Sequence, residues 1–341
     1  MRLLLATFVV GCGGNITTKI TDTSDSASEP SQPADEPSSP SSEPSAQPSS
    51  EPSAQPSSEP SSQPSSEPSG EPVEGDDYTQ AGPYTVTSTS GSAQVTGCTL
   101  GMEYTSFIPQ GVSNPTVVVL GHGFARGGDK MYGWGEHYAS WGVEVLVPTL
   151  CHYNPLIGVD HELNGQNMVE LADMHGAGQV IYAGQSAGGL AAVIAASQDE
   201  DALGVVGMDA TDTEGVPGVP DFIGQGYAGN VSQTSFALVG EPSTCNSNNN
   251  GVTLFELMNT AQVFRVTSSD HCDYEKPTDW GCETFCLNQN TSFDDAQIGT
   301  AIAHLSTAAI LALTGDAEAQ DAWTDDALSD WISSGLLNRL R

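Results

Sequence analysis

The sequence predicts an α/β domain: a mostly parallel sheet of about eight strands flanked by helices, with little or no cap domain. Three observations carry the prediction. From Tyr84 onward, short apolar runs of strand length alternate with helical patterns, which is the pattern of βαβ units. Of the 341 residues, roughly 265 remain once a leader and a long polar stretch are set aside, within reach of one large domain. The segment AGQSAGGLAA, residues 183–192, sets a serine between two glycines where a strand gives way to a helix.

Taken in order, residues 1–11 read as a lipoprotein-type signal peptide. Arg2 is a minimal charged start, and Leu3 to Val10 are apolar but far short of the ~20 residues that span a bilayer. Val9-Val10-Gly11-Cys12 resembles a bacterial lipobox, so cleavage before Cys12 and lipidation of that cysteine are expected. Residues 12–77 predict a disordered Ser/Pro/Glu-rich spacer in which EPSAQPSS recurs with a period of eight. From Ser24 to about Asp77 it is Ser, Pro, Glu, Gln and Asp with little beyond a few alanines and Val73, too little apolar surface to build a core. Its prolines favour polyproline II at ~3.1 Å per residue, a stalk on the order of 100 Å. The domain proper is expected over residues 78–341.

Within it, β-rich stretches come first, around Tyr84–Thr89 and Cys98–Phe107. Thr116–Leu120 is a short buried strand, Met131–Trp141 a helix and Val143–Pro148 the next strand. Gly165–His175 is helical, Val180–Ala183 a strand and Ala187–Ser197 a small-residue helix. Val205–Met208, Phe236–Val239 and Val263–Val266 are three further strands. Ala296–Leu313 is a long apolar helix, and Trp323–Leu340 is expected to hold a last, amphipathic one.

The formal charge of −35, with only 8 Lys and Arg, argues against nucleic acid, since no basic patch can neutralise phosphates. Setting Cys12 aside leaves Cys98, Cys151, Cys245, Cys272, Cys282 and Cys286. An even number in an exported chain predicts up to three disulfides, with a pairing that sequence does not fix. A metal is the rival reading, because His271-Cys272 lies near Cys282 and Cys286; oxidising surroundings favour disulfides, and no metal is expected.

Gly184-Gln185-Ser186-Ala187-Gly188 follows an apolar strand and opens a helix. Glycines permit a sharp turn there, leaving the Ser186 hydroxyl raised above the sheet at a helix N-terminus, as a nucleophile elbow requires. Its base must follow it in the chain. His304 lies on the apolar helix AIAHLSTAAI and reads as a core histidine; His271, in the polar loop SSDHCDYE after a strand, is the candidate. The acid that orients the imidazole could be Asp209 in VVGMDATD, Asp212 close by, or Glu241 in ALVGEPST. Asp209 directly follows the apolar run and is preferred, with the other two open. An oxyanion site needs two backbone N–H groups: Ala187 after the serine, and Phe124 in the loop Gly121-His122-Gly123-Phe124. His122 precedes Ser186 and reads as a structural residue of that loop. Trp280 and Phe124 are each expected either to line an acyl cleft or to pack in the core.

The segments GHGFARGGDKMYGWGEHYASWGVEVLVP, GQSAGG, GVVGMDATD and SSDHCDYE, in this order over roughly residues 82 to 315, resemble the α/β-hydrolase superfamily. They look most like the branch of chlorophyllases, platelet-activating-factor acetylhydrolases and cutinase-like polyesterases. Chlorophyllases and the acetylhydrolases carry the acid in a similar segment, and the resemblance thereby implies Asp209 over Glu241; the polyesterases place it after the later strand. The expectation is a serine carboxylic ester hydrolase working through an acyl-enzyme without cofactor, exported and tethered to an outer membrane through Cys12, monomeric. The alternatives are a peptidase or amidase on the same fold, and a non-catalytic surface binding module.

Overall fold

The computed structural model describes residues 77–154, 158–216, 218–286 and 290–341. The expected signal peptide, Cys12 and the spacer up to residue 76 lie outside the described residues. The described part falls within one unit, Ser69–Arg341.

The chain enters through β1 (Val86–Ala93) and β2 (Met102–Pro109), then β3 (Val117–Gly121), α1 (Tyr132–Ser140) and β4 (Glu144–Pro148). The two-residue strands β5 (Tyr153–Asn154) and β6 (Gly158–Val159) pair only with each other. Next come α2 (His161–Met174), β7 (Val180–Gln185), α3 (Ala187–Gln198), β8 (Ala202–Met208) and α4 (Gln225–Ala228). β9 (Ser235–Val239), α5 (Val252–Leu257), β10 (Ala261–Val266), α6 (Trp280–Phe285) and α7 (Asp295–Leu313) follow. The chain closes with α8 (Ala317–Asp321), α9 (Ser329–Ser334) and β11 (Leu337–Arg339).

Nine strands form one sheet in the order β1-β2-β4-β3-β7-β8-β9-β10-β11. The six from β4 to β10 are parallel neighbours, while β1, β2 and β11 add antiparallel edges. The sheet is mixed but mostly parallel, flanked by helices, and belongs to the α/β class. Connections leave β3 toward β4 and leave β7 toward β8, so their carboxyl ends flank a point where strand order reverses. Crevices at such points are where open α/β sheets bind ligands.

Two cores cover the sheet. On one face α1 and α7 pack with Phe107, Val118, Ile181, Phe236 and Phe264. On the other, α2 and α3 pack with Val119, Tyr182, Val205 and Val263. α7 is long and apolar because twelve of its residues are buried against the first core. Tyr78 belongs to that core as well, ahead of the first expected strand.

The small residues of 183–192 are explained by backbone approach. A Cβ on Gly188 would lie 2.4 Å from the carbonyl carbon of Gly121, and one on Gly184 would lie 2.3 Å from that of Gly188. β3, β7 and the first turn of α3 therefore touch main chain to main chain. α2 closes on α3 over a side chain instead, since a Cβ on Gly165 would meet Ile194 Cγ2 at 2.5 Å.

One expected element is corrected. Trp323–Leu340 is not a single helix: Gly335 takes a left-handed φ of 82° and ends α9, and the chain then joins the sheet edge as β11. Trp323 is anchored before that by its indole N–H, which donates to the Leu305 carbonyl at 3.1 Å. The main sheet has nine strands rather than about eight for the same reason, β11 being the addition.

Gly188→Ala should lower stability by at least ~1–3 kcal/mol, the cost of forcing atoms into a filled space. The midpoint of urea unfolding checks it.

Candidate active site

β7 delivers Ser186 at its carboxyl end as the residue before α3. Ser186 has φ 54° and ψ −122°, a backbone that costs a side-chain-bearing residue ~1–3 kcal/mol. Neighbouring main chain holds it there. Its N–H donates to the Met208 carbonyl at 3.2 Å, and its carbonyl accepts from Gly189, Leu190 and Thr211. The side chain is nearly buried, at the positive end of α3, where negative charge is favoured.

His271 opens a 3-10 turn, His271–Tyr274, that follows β10, and Asp270 caps that turn from the Cys272 N–H at 2.7 Å. Its Nδ1 meets Asp209 Oδ2 at 2.6 Å. A proton on Nδ1 shared with a carboxylate leaves Nε2 as the ring's basic atom. His271 and Ser186 line one cavity of about 490 Å³, together with Gly123, Phe124 and Glu275.

Asp209 is fully buried at the end of β8, with φ 47°. A buried carboxylate needs donors around it. Gly240 N–H reaches Oδ1 at 2.9 Å, and Asn246 Nδ2 reaches Oδ2 at 3.1 Å, beside the imidazole. Asn246 is itself buried and fixed, donating to the Glu241 carbonyl and accepting from the Ser243 N–H at 2.8 Å.

The two rival acids are engaged elsewhere. Glu241 Oε1 accepts from the Ser268 N–H at 3.1 Å and from Asn290 Nδ2 at 2.8 Å. The loop that carries it still serves the site, through the Gly240 N–H. Asp212 Oδ1 accepts from the N–H groups of Thr213 and Gly224. Asp209 alone of the three hydrogen-bonds His271 among the described residues.

Phe124 and Ala187 both flank Ser186 at a smaller cavity. Gly123 brings the loop in, since a Cβ there would meet Ser186 Cβ at 3.3 Å and Gln185 Oε1 at 2.3 Å. His122 is buried and structural: the Leu150 N–H donates to its Nε2 at 3.0 Å, so its Nδ1–H donates to the Gly123 carbonyl at 2.8 Å. His304 lies on α7 between the rings of Tyr78 and Trp331. Trp280 departs from both expectations. It is 77% exposed at the start of α6, because its neighbour Asp279 caps that helix and is drawn toward Arg126 and Lys130.

Arg126 forks onto Glu275 with two 2.7 Å bonds and reaches Asp279 at 2.9 Å. This ties the loop after β3 to the loop after β10. The six cysteines form Cys98–Cys151, Cys245–Cys286 and Cys272–Cys282. Cys272, Cys282 and Cys286 gather closely enough to suggest a metal, but all three sulfurs are engaged in disulfides. Two of the bridges adjoin the site: Cys272 follows His271, and Cys245 precedes Asn246. Asn246 and Arg126 were not singled out from sequence. The run Asn-Ser-Asn-Asn-Asn, residues 246–250, was the available signal, since asparagine tolerates the positive φ seen at Asn248 and Asn249.

Residues 39–74 match the model of the PT disordered repeat, in agreement with the sequence's reading of that stretch as a repeat-built linker. No curated protein matches the chain.

Burial pushes the His122 imidazole down to about 4. The folded value lies below the unfolded one, so the stability from neutral His122 is complete above about pH 6.5 and is lost as pH falls toward 4. The stability difference between the wild type and His122→Gln should therefore shift against the wild type by ~1 kcal/mol or more between pH 7 and 4. Urea midpoints at the two pH values give the comparison.

Proposed function

We propose that this chain is a serine hydrolase of the α/β-hydrolase fold that cleaves carboxylic esters through an acyl-enzyme. The observation that carries the reading is the 2.6 Å contact from His271 Nδ1 to buried Asp209, with Ser186 on a strained turn in the same cavity as His271. The chain order serine, acid, histidine, at the ends of β7, β8 and β10, fits that fold. So does the position of Phe124 in the loop after β3.

In this mechanism His271 Nε2 takes the Ser186 proton as Oγ attacks the ester carbonyl. Asp209 holds the ring in the tautomer with Nδ1 protonated and stabilises the imidazolium that forms. The N–H groups of Phe124 and Ala187 receive the developing oxyanion. The tetrahedral intermediate collapses as His271 returns the proton to the leaving alcohol. Water, deprotonated by the same nitrogen, then releases the acid. These steps require neither metal nor organic cofactor. The proposal includes export and tethering to an outer membrane through lipidated Cys12, which rests on Val9-Val10-Gly11-Cys12 alone.

A fluorophosphonate probe should label wild type and not Ser186→Ala; a wild type that stays unlabelled while folded points to a binding module. Ser186→Ala and His271→Ala should each cost several orders of magnitude in kcat on a soluble ester. Asp209→Asn should also lose several orders, because an amide favours the wrong tautomer. Glu241→Gln should lose less than about tenfold, having no bond to the imidazole. Metabolic labelling with a fatty-acid probe should tag the wild type and spare Cys12→Ser.

A further inference from the structure

The cavity of about 490 Å³ is not the only space beside Ser186. A second, of about 130 Å³, shares Phe124, Ser186 and Cys245 with the first and is lined further by His161, Asp212 and Glu214. Asp212 and His161 are 2% and 3% exposed. Each keeps a buried polar atom without a hydrogen-bond partner among the described residues: Asp212 Oδ2 and His161 Nδ1. The mechanism above uses neither residue.

Buried unsatisfied polar atoms are costly, and native structures keep them mainly where something else completes the bonding. Here the surroundings specify what is missing. Asp212 Oδ1 is already satisfied by two backbone N–H groups, which fixes the carboxyl and leaves Oδ2 as an open acceptor. Glu214 stands exposed at the same cavity. No Lys or Arg is among the described residues that line it. Burial also drives His161 toward its neutral form, down to about 4, so the imidazole brings no positive charge. Burial pushes the Asp212 carboxyl above its usual range, the cost of a buried acceptor beside a neutral imidazole with no cation near, and a cationic donor would relieve it.

We infer that this cavity is a subsite for a small ammonium-bearing group of the ester substrate, held by Asp212 and His161 with Glu214 at its mouth. The inference rests on the ester-hydrolase reading and gives it a substrate class. An ammonium offers three N–H donors, and its bond to a carboxylate is among the stronger hydrogen bonds. Size favours a small group: a cavity of about 130 Å³ suits a short aminoalkyl chain. A hydroxyl would satisfy Oδ2 but would leave the negative charge uncompensated.

The test uses the full chain and matched esters at pH 7. On the acyl side, p-nitrophenyl β-alaninate is compared with p-nitrophenyl butanoate, its uncharged isostere. On the alcohol side, 3-aminopropyl acetate is compared with butyl acetate. The expected result is a kcat/KM at least tenfold higher for the ammonium member of one pair; which pair identifies the side of the ester that enters the subsite. Asp212→Asn should cut that ratio at least tenfold. Should Asp212→Asn not fold, propylammonium chloride must inhibit wild-type hydrolysis of the neutral ester competitively, beyond potassium chloride at equal ionic strength. Equal rates within both pairs, or a preference that persists in folded Asp212→Asn, would overturn the subsite while leaving the hydrolase reading intact. Absence of Ser186-dependent turnover on every ester would overturn the hydrolase reading itself.

Discussion

The site depends on one contact that has no side chain in it: the main chain of Gly121, at the end of β3, against Gly188 in the first turn of α3. At that separation any Cβ on Gly188 would sit inside the Gly121 carbonyl group. The contact fixes where the loop after β3 stands relative to Ser186. It therefore sets how near Phe124 lies to Ser186, on which the proposed pairing of the Phe124 N–H with the serine hydroxyl depends. Gly184 and Gly189 extend it, against Gly188 and Ala210 respectively. Close packing and display of the serine are thus one requirement seen from two sides.

The second constraint is electrostatic. Asp209 is fully buried, and a carboxylate there is tolerable only because donors surround it. They come from three separate segments: Gly240 after β9, Asn246 before α5, and His271 after β10. The two bridges that touch these segments converge on α6, Cys272–Cys282 from the histidine loop and Cys245–Cys286 from the asparagine loop. Arg126 reaches the same region through Glu275 and Asp279. A short surface helix thereby holds the three loops in register, although it contributes no reacting group.

What the sequence made legible follows from how local each signal is. Strand and helix alternation is local, and the parallel strands from Thr116 to Val266 appear within a few residues of their expected places. The serine turn is local too, since its glycines and its strand are contiguous. His271 could be chosen because chain order left two candidates and only one lay in a polar loop. The Arg126–Glu275 fork and the Asn246 clamp join residues 149 and 37 positions apart, and the disulfides join residues 53, 41 and 10 apart. No periodicity marks such pairs. The last segment departed for a related reason: its mix of apolar and polar residues reads as an amphipathic helix, but Leu336 and Leu337 are buried by a return to the sheet edge.

Backbone strain is where the two constraints meet. Ala125 after β3, Ser186 after β7, Asp209 after β8 and Ser268 after β10 all have positive φ, from 47° to 70°. Glycine would adopt these angles freely. At Ser186 and Asp209, however, the side chain is the one proposed to carry the chemistry, so glycine is excluded and each position bears a cost of ~1–3 kcal/mol. Strain of this kind persists only where the surroundings over-determine the conformation. The N–H of Ser186 is bonded to Met208, its carbonyl to three donors, and the N–H of Asp209 to Leu238 at 2.7 Å. The parallel sheet accepts the two N–H groups on the strand next door, β8 for the serine and β9 for the aspartate, while the donors to the Ser186 carbonyl come from α3 and from Thr211. Each of these two strand ends is thus held in its strained form partly by its neighbour, and this is the property that links the strand order of the sheet to the geometry of the candidate site.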